Sequence, residues 1–374
     1  MHRAMSAATS AEAGGVAVRA TSAEREALIN LIEASPKAEL HLHIEGTLEP
    51  ELIFALAQRN GVRLPYPSVE ALRQAYAFTD LQSFLDLYYA AASVLIHEQD
   101  FHDLAWAYLQ RAAADGIVCA EIFFDPQTHT ARGIEIGTVI RGLRSACDRA
   151  KQDLDLHAEL ILCVLRHLSE DEGLQTLESA LPYREHFIGL GLDSSERGHP
   201  PEKFERLYRR AHELGLHCVA HAGEEGPAAY VTSALDSLGV ARIDHGVRSL
   251  EDPVLVQRLA REGIPLTVCP LSNVRLCVVP DMAAHPLPAM LQAGLKVNVN
   301  SDDPAYFGGY LNTNFRALFL AHPSLGVEQA YTLLRNSLEA SFAPAALKQT
   351  WVDRLDARFR SASPTPSFLL RVTP

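Results

Sequence analysis

The sequence predicts an α/β protein built as a single parallel (β/α)8, TIM-like barrel. Short apolar runs alternate with amphipathic stretches eight times along the 374 residues, and such alternation builds a parallel sheet. The runs are nearly continuous in apolar residues, as in strands covered on both faces. Four of them stop at His, Asp or Glu: Glu39-Leu-His-Leu-His-Ile-Glu-Gly46, Val219-Ala-His-Ala-Gly-Glu-Glu-Gly226, Arg242-Ile-Asp-His-Gly246 and Val297-Asn-Val-Asn-Ser-Asp-Asp-Pro304. Endings this far apart in sequence meet only where a fold gathers its strand ends, and parallel barrels carry their active sites on that rim.

In chain order the candidate strands are Ala38–Ile44, Ile117–Phe124, Leu156–Leu165, Phe187–Leu192, His217–His221, Ala241–Asp244, Ile264–Cys269 and Leu295–Asn300. Helical patterns such as Glu202–Leu214 and Pro253–Glu262 lie between them. Gly61, Gly116, Gly215, Gly263 and Gly294 each follow a helical run, where a C-terminal stop is expected. Thr47 to Asp115 holds more helix than one barrel unit needs, including Pro50–Arg59 and Leu81–Leu95. The surplus between strands 1 and 2 is expected to cover the pocket, with Phe78 and Phe84 as candidates to line it. Val327–Leu347 reads as a closing helix. No linker-like run divides the chain, and no G-x-G-x-x-G follows the first strand, as a doubly wound nucleotide-binding sheet would require. Residues 1–22 are expected to be a flexible tail, and residues 23–374 one barrel domain.

Composition narrows the partners. With 48% hydrophobic residues the chain can bury a large core. A formal net charge of -13 repels phosphate backbones and anionic lipid. The expected partner is small, with no nucleic acid and no membrane; a homo-oligomer stays open. The six cysteines form no C-x-x-C pair, and several sit in apolar runs. They are expected to be reduced, in a cytoplasmic protein. No apolar stretch approaches a membrane span, and residues 1–21 lack the apolar core of a secretory signal.

The polar endings define a chemistry. Side chains alternate along a strand, so His41 and His43 point the same way and can bind one metal ion. His221 offers a third imidazole, and Glu224, three residues on, a proton donor. His245 reads as a further ligand or a base. If strand geometry persists, Asp302 and Asp303 point in different directions, one to a metal and one to a substrate. Three histidines and an aspartate make an N/O set for Zn²⁺ with room for water. Zinc brings the pKa of a bound water towards neutrality, so metal-assisted hydrolysis is the reaction class implied. The stretch Leu190-Gly-Leu-Asp-Ser-Ser-Glu196 contains no lysine to bridge a second ion, so the site reads as mononuclear.

These motifs carry a specific resemblance. PKAELHLHIEGTLEPEL, HAGEEGP, RIDHG, PLTVCPLSN and NSDDPAYFGGY resemble the adenosine/adenine deaminase family of the metal-dependent amidohydrolases, over roughly Pro36 to Leu347. The resemblance implies one zinc per chain, held by His41, His43, His221 and Asp302. It implies that Glu224 protonates the purine ring nitrogen next to the attacked carbon. His245 would orient or deprotonate the water, and Asp303 would bond the opposite purine edge. IEGTLEPEL, the doubled glutamate of HAGEEGP, LDSSERGHPP and DDPAYFGGY are similar to the adenine branch. The expected reaction is therefore the deamination of adenine to hypoxanthine and ammonia. Glu196 is the candidate to meet the N3/N9 edge of the free base. Adenosine and N6-substituted adenines are the alternative substrates. A catalytically silent relative is disfavoured, because Glu224, His245 and Asp303 are all present.

Overall fold

The computed structural model describes residues 21–362 except 77–83, 85–86 and 89–90. Phe78, part of the Leu81–Leu95 pattern and nearly all of the expected tail lie outside the described residues. Thr21 and Ser22 are described: Thr21 caps the first helix, Ser22–Glu33, by accepting the backbone N–H of Glu24.

Eight parallel strands follow one another around the barrel in sequence order. They are β1 (Lys37–Glu39), β2 (Ile117–Phe124), β3 (His157–Leu165), β4 (Gly189–Asp193), β5 (His217–Ala222), β6 (Arg242–His245), β7 (Pro265–Val268) and β8 (Lys296–Val299). All but β1 begin and end close to the expected positions. The first run splits because the N–H of Leu40 is taken by the side-chain oxygen of Asn300, at 2.8 Å, instead of a strand carbonyl. Pairing resumes beyond the split, where Leu42 bridges Asp302 and His43 bridges Phe123. The barrel closes there: the His43 N–H donates to the Asp302 carbonyl at 3.0 Å, and the Asp302 N–H to the His41 carbonyl at 3.1 Å.

The helices carry their own signals. In Pro253–Glu262 the Asp252 carboxylate accepts the N–H of Val254 at 2.8 Å, and proline opens the first turn. Leu255 and Leu259, one turn apart, are buried, while Val254 faces solvent. Each buried leucine contributes about 1.5–3 kcal/mol. The expected closing helix is two, Val327–Ala340 and Ala345–Ala362. Ser341 takes an extended backbone at the break, and Pro344 starts the second helix without needing an N–H partner. Phe342, in the break, packs against the fully buried Arg242, whose guanidinium lies 4.7 Å from the ring centre. Arg242 pairs with Glu121 at 2.5 Å inside the barrel.

The barrel interior is filled. Phe123, Ile161, Cys163 and Val219 form a buried cluster, and the Phe123 ring lies 5.2 Å from both the His41 and the His43 ring. Between β1 and β2 the chain adds helices Pro50–Asn60, Val69–Gln74 and Glu98–Ala114. Phe84 and Tyr88, from the same segment, line the pocket at the rim. Phe84 packs on Phe307 at 4.8 Å and Tyr306 at 5.5 Å, which fixes this cover to the loop after β8. No helix among the described residues is long and apolar enough to cross a membrane. All six cysteines are free thiols, and only Cys277 is exposed.

Candidate active site

One pocket at the C-terminal rim brings the strand endings together. His43, Asp125, Asp193, His221, Glu224, His245, Asp302 and Asp303 all line it, with Leu165 and Leu276 as apolar wall. Three segments leave their strands through residues in the left-handed region: Ser194 at φ 71°, His245 at φ 66° and Asp302 at φ 68°. Non-glycine residues rarely adopt this backbone, and such strain clusters where a fold over-determines a functional side chain.

Donor atoms of His41, His43, His221 and Asp302 lie within 4.8 Å of one another, all buried. Nε2 of His43 is 3.1 Å from Nε2 of His221. Oδ1 of Asp302 is 3.4 Å from Nε2 of His41 and 3.5 Å from Nε2 of His43. The outer partners set the tautomers. Thr267 donates its hydroxyl proton to Asp244 at 2.8 Å, so it accepts from Nδ1 of His41 at 2.9 Å. The His41 Nε2 lone pair therefore faces the cluster. Nδ1 of His43 faces Asp193 at 3.4 Å, and Nδ1 of His221 faces Asp244 at 3.8 Å. Donor atoms converging on one point, with a hydrogen-bonded partner behind His41 and carboxylates near Nδ1 of His43 and His221, suit a cation.

Glu224 and His245 stand beside this cluster, with Nε2 of His245 3.6 Å from the Glu224 carboxyl and 3.7 Å from Oδ2 of Asp302. Burial, reinforced by Asp302 and Glu196, pushes the Glu224 carboxyl well above its usual range, so it carries a proton. Burial lowers His245 to about 3, so its imidazole is neutral. A relay fixes which nitrogen holds its proton. The N–H of Leu287 donates to Nδ1 of His285 at 3.1 Å, so Nε2–H of His285 donates to Oδ1 of Asn273 at 3.2 Å. The Asn273 amide then turns its N–H to Nδ1 of His245 at 3.4 Å. His245 consequently presents Nε2–H to the pocket.

Two expectations need correction. Strand geometry does not persist to Asp302 and Asp303: β8 ends at Val299, and the left-handed turn at Asp302 breaks the alternation. Both carboxyls face the same pocket, Asp302 towards the histidines and Asp303 beside it. Asp303 fits only because residue 46 is glycine; a Cβ there would collide with its carboxyl group. Burial, then the Asp302 charge, pushes Asp303 well up, so it too is held as an acid.

Glu196 is not among the side chains that line the pocket. Its carboxylate accepts four backbone N–H groups, from Gly223, Glu224, Glu225 and Gly226, at 2.7–3.1 Å. Those bonds fill its acceptor positions and pin the loop that carries Glu224. Gly226 permits the approach, since a Cβ there would lie 2.6 Å from the Glu196 carboxyl. The pocket wall near this position belongs instead to Asp193 and, close beside it, Asp125, both missed in the sequence. Each ends an apolar run, Leu190-Gly-Leu-Asp193 and Ile122-Phe-Phe-Asp125, the same signal that marked the other strand ends. Burial pushes Asp193 up to about 7.

Comparison with known proteins agrees with this geometry. The adenosine deaminase family profile matches residues 36–358. A relative from Cupriavidus pinatubonensis, named adenine deaminase, is 63% identical over 339 residues, covering 91% of this chain and 96% of its own. Another adenine deaminase, from Geotalea uraniireducens, is 62% identical over 335 residues, covering 90% of this chain and 94% of its own. The crystal structure of adenine deaminase from Arthrobacter aurescens superposes with a TM-score of 0.85 at 56% identity, covering 87% of this chain and 99% of that one. An amidohydrolase from Burkholderia ambifaria, solved with bound Zn, gives a TM-score of 0.82 at 27% identity, covering 94% of this chain and 98% of that one. With the fold, the rim site and these relatives in agreement, the chain belongs to the adenosine deaminase family.

Proposed function

We propose that this protein is a zinc-dependent hydrolase that converts adenine and water to hypoxanthine and ammonia, with one zinc ion per chain. The observation that carries the reading is the meeting of three imidazoles and Asp302 beside the buried carboxyl of Glu224, which burial pushes well above its usual range. Ligands 2.0–2.2 Å from a tetrahedral zinc stand about 3.3–3.6 Å apart. Among His41, His43, His221 and Asp302, the separations of 3.4 and 3.5 Å fall in that range and the 3.1 Å between His43 and His221 lies just below it. Bound there, the ion supplies Lewis acidity that lowers the pKa of a water at the attacked carbon.

The side chains supply the rest. Glu224 delivers its proton to N1 of the purine, which makes C6 electrophilic. His245, proton on Nε2, donates to the oxygen that adds at C6 and stabilises its developing charge. Asp303, held protonated, donates to N7. Phe84, Tyr88 and Leu276 cover the ring and exclude bulk water. The attacking water supplies the remaining protons: the carboxylate left on Glu224 takes one as the C–O bond forms, and the other passes from the C6 hydroxyl to the 6-amino group, so that the C–N bond breaks, ammonia leaves and the C6 carbonyl of hypoxanthine remains. A paired assay on adenine and adenosine, with zinc quantified in the same sample, tests the reading. Adenine turnover that scales with one zinc per chain is expected; full activity after exhaustive chelation would end it.

A further inference from the structure

Two carboxyl groups in the pocket take no part in the proton transfers above, although one of them, Asp193, faces Nδ1 of His43. Asp125 and Asp193 are 4% and 2% exposed and line the same pocket as Glu224 and Asp303. The two carboxyls lie within hydrogen-bond reach of each other, and Asp193 also has Cys163 and, at 3.4 Å, Nδ1 of His43 beside it; among the described residues no backbone N–H serves either Asp193 oxygen or Oδ1 of Asp125. Donor atoms of the two carboxyls and His43 lie within 4.8 Å of one another. Buried acids are normally satisfied, because leaving them unpaired is costly. In a ligand pocket, the missing partner is a ligand atom.

Their places around the rim say which atom. Strand order is β1 to β8 around the barrel. Glu224 follows β5, Asp193 ends β4, Asp125 follows β2 and Asp303 follows β8. A purine placed with N1 at Glu224 and N7 at Asp303 turns N3 and then N9 along the remaining arc. That arc is the one occupied by Asp193 and then Asp125. In an unsubstituted purine N9 carries a hydrogen; in a nucleoside it carries the sugar.

We propose that Asp125 and Asp193 receive the N9–H edge of the free base and so select it against nucleosides. The inference rests on the adenine-deaminating reading of the site. A carboxyl group accepts a hydrogen bond through its carbonyl oxygen in either protonation state, so the assignment does not depend on ionisation. The wall behind the pair is closed. The Tyr88 hydroxyl lies 3.4 Å from Asp125 and 3.5 Å from Glu45. Glu45 is itself held by His129 at 2.9 Å and by the Asp125 N–H at 3.2 Å. A sugar at N9 would meet these side chains.

The test compares adenine with 9-methyladenine, which keeps the reacting edge and loses only the N9 hydrogen. Wild-type kcat/KM for 9-methyladenine should be at least about 100-fold lower, since a site built to bond a group rejects analogues that lack it. Asp125→Ala and Asp193→Ala should each shrink the adenine to 9-methyladenine ratio by about tenfold or more. Competitive inhibition by hypoxanthine against 9-methylhypoxanthine should follow the same pattern, as a readout of binding alone. Wild-type enzyme that handles adenine and 9-methyladenine equally well overturns the inference and leaves the deaminase reading standing. Absence of adenine turnover overturns both. A second metal ion per chain, lost in Asp193→Ala, would assign the pair to a cation and also overturn it. If an alanine variant fails to fold, Asp125→Ser or Asp193→Ser takes its place, with the same expected fall in the ratio and an unchanged ratio overturning the assignment.

Discussion

The Glu196 carboxylate accepts the backbone N–H of Glu224 at 3.1 Å, so the proton-donating residue is held from behind by a second acid. Three neighbouring N–H groups share that carboxylate. Glu196→Gln replaces an accepting oxygen with a donor that faces other donors. A loss of about 2–4 kcal/mol in urea unfolding is expected, with reduced kcat. The adenine to 9-methyladenine ratio should not change, because Glu196 is bonded to backbone N–H groups and does not line the pocket; a collapse of that ratio would return Glu196 to the substrate edge.

Glu224→Gln keeps the shape of the side chain and removes its acid. The variant should bind metal as the wild type does and lose about 10²- to 10⁴-fold in kcat. The pH profile follows from the sign of the shift. Burial raises this carboxyl, so the active protonated form persists well above the ordinary range and is lost as pH climbs through the raised value. The alkaline limb of wild-type kcat/KM should therefore be absent from whatever activity the variant retains.

His41→Ala and Asp302→Ala each remove one donor from the cluster. Metal content by atomic emission and turnover should fall together. Chelated wild-type enzyme should regain activity on adding zinc, and the two variants should not.

Asn273 positions His245 through a single amide N–H. Asn273→Asp substitutes an acceptor, which draws the His245 proton to Nδ1 and leaves Nε2 bare. A drop in kcat of about 10- to 1000-fold is expected, with metal content unchanged. The new charge should also raise the His245 pKa and move the acidic limb of the profile upward, a shift that a merely structural defect would not produce.

Lys37 gives a pH effect away from the chemistry. It is buried, donates to the carbonyls of Glu33 and Asp115 at 3.0 and 2.7 Å, and burial lowers its pKa from 10.5 to about 8. The unfolded chain therefore holds this proton more tightly between about pH 8 and 10.5, and stability contributed by this group rises with pH across that window. Relative to Lys37→Met, the wild type should gain stability between pH 7.5 and pH 10 in urea midpoints; a constant difference would show that the lysine is not desolvated.

The barrel was readable because parallel strands buried on both faces leave long apolar runs. Ile117–Phe124 is bounded in the structure as its composition suggests. The first strand was less so, because the Asn300 side chain replaces a backbone acceptor, and no local pattern announces that. The His-x-His pair, His221, His245 and the Asp302-Asp303 pair stood out as polar residues at the ends of apolar runs. Asp125 and Asp193 have the same signature, but each is a single acid before a turn, and turns favour Asp for reasons of their own. The backbone partners of Glu196 leave no mark in the sequence, because every residue but proline carries an N–H. The shared direction of Asp302 and Asp303 depends on one left-handed backbone angle, which becomes visible only in three dimensions.

The seam of the barrel has a consequence for how this catalyst comes into being. His41, His43 and Asp302 lie on the two segments that stitch the first strand to the last, and the backbone bonds of that seam run between these same residues. A nascent chain still missing its eighth strand thus lacks both the closure and the carboxylate donor. A zinc ion bound across the seam would act as a clasp, favouring the closed ring over one that has sprung open. Amide protons of His43 and Asp302 should then exchange with deuterated solvent more slowly in the zinc-loaded enzyme than in the stripped one.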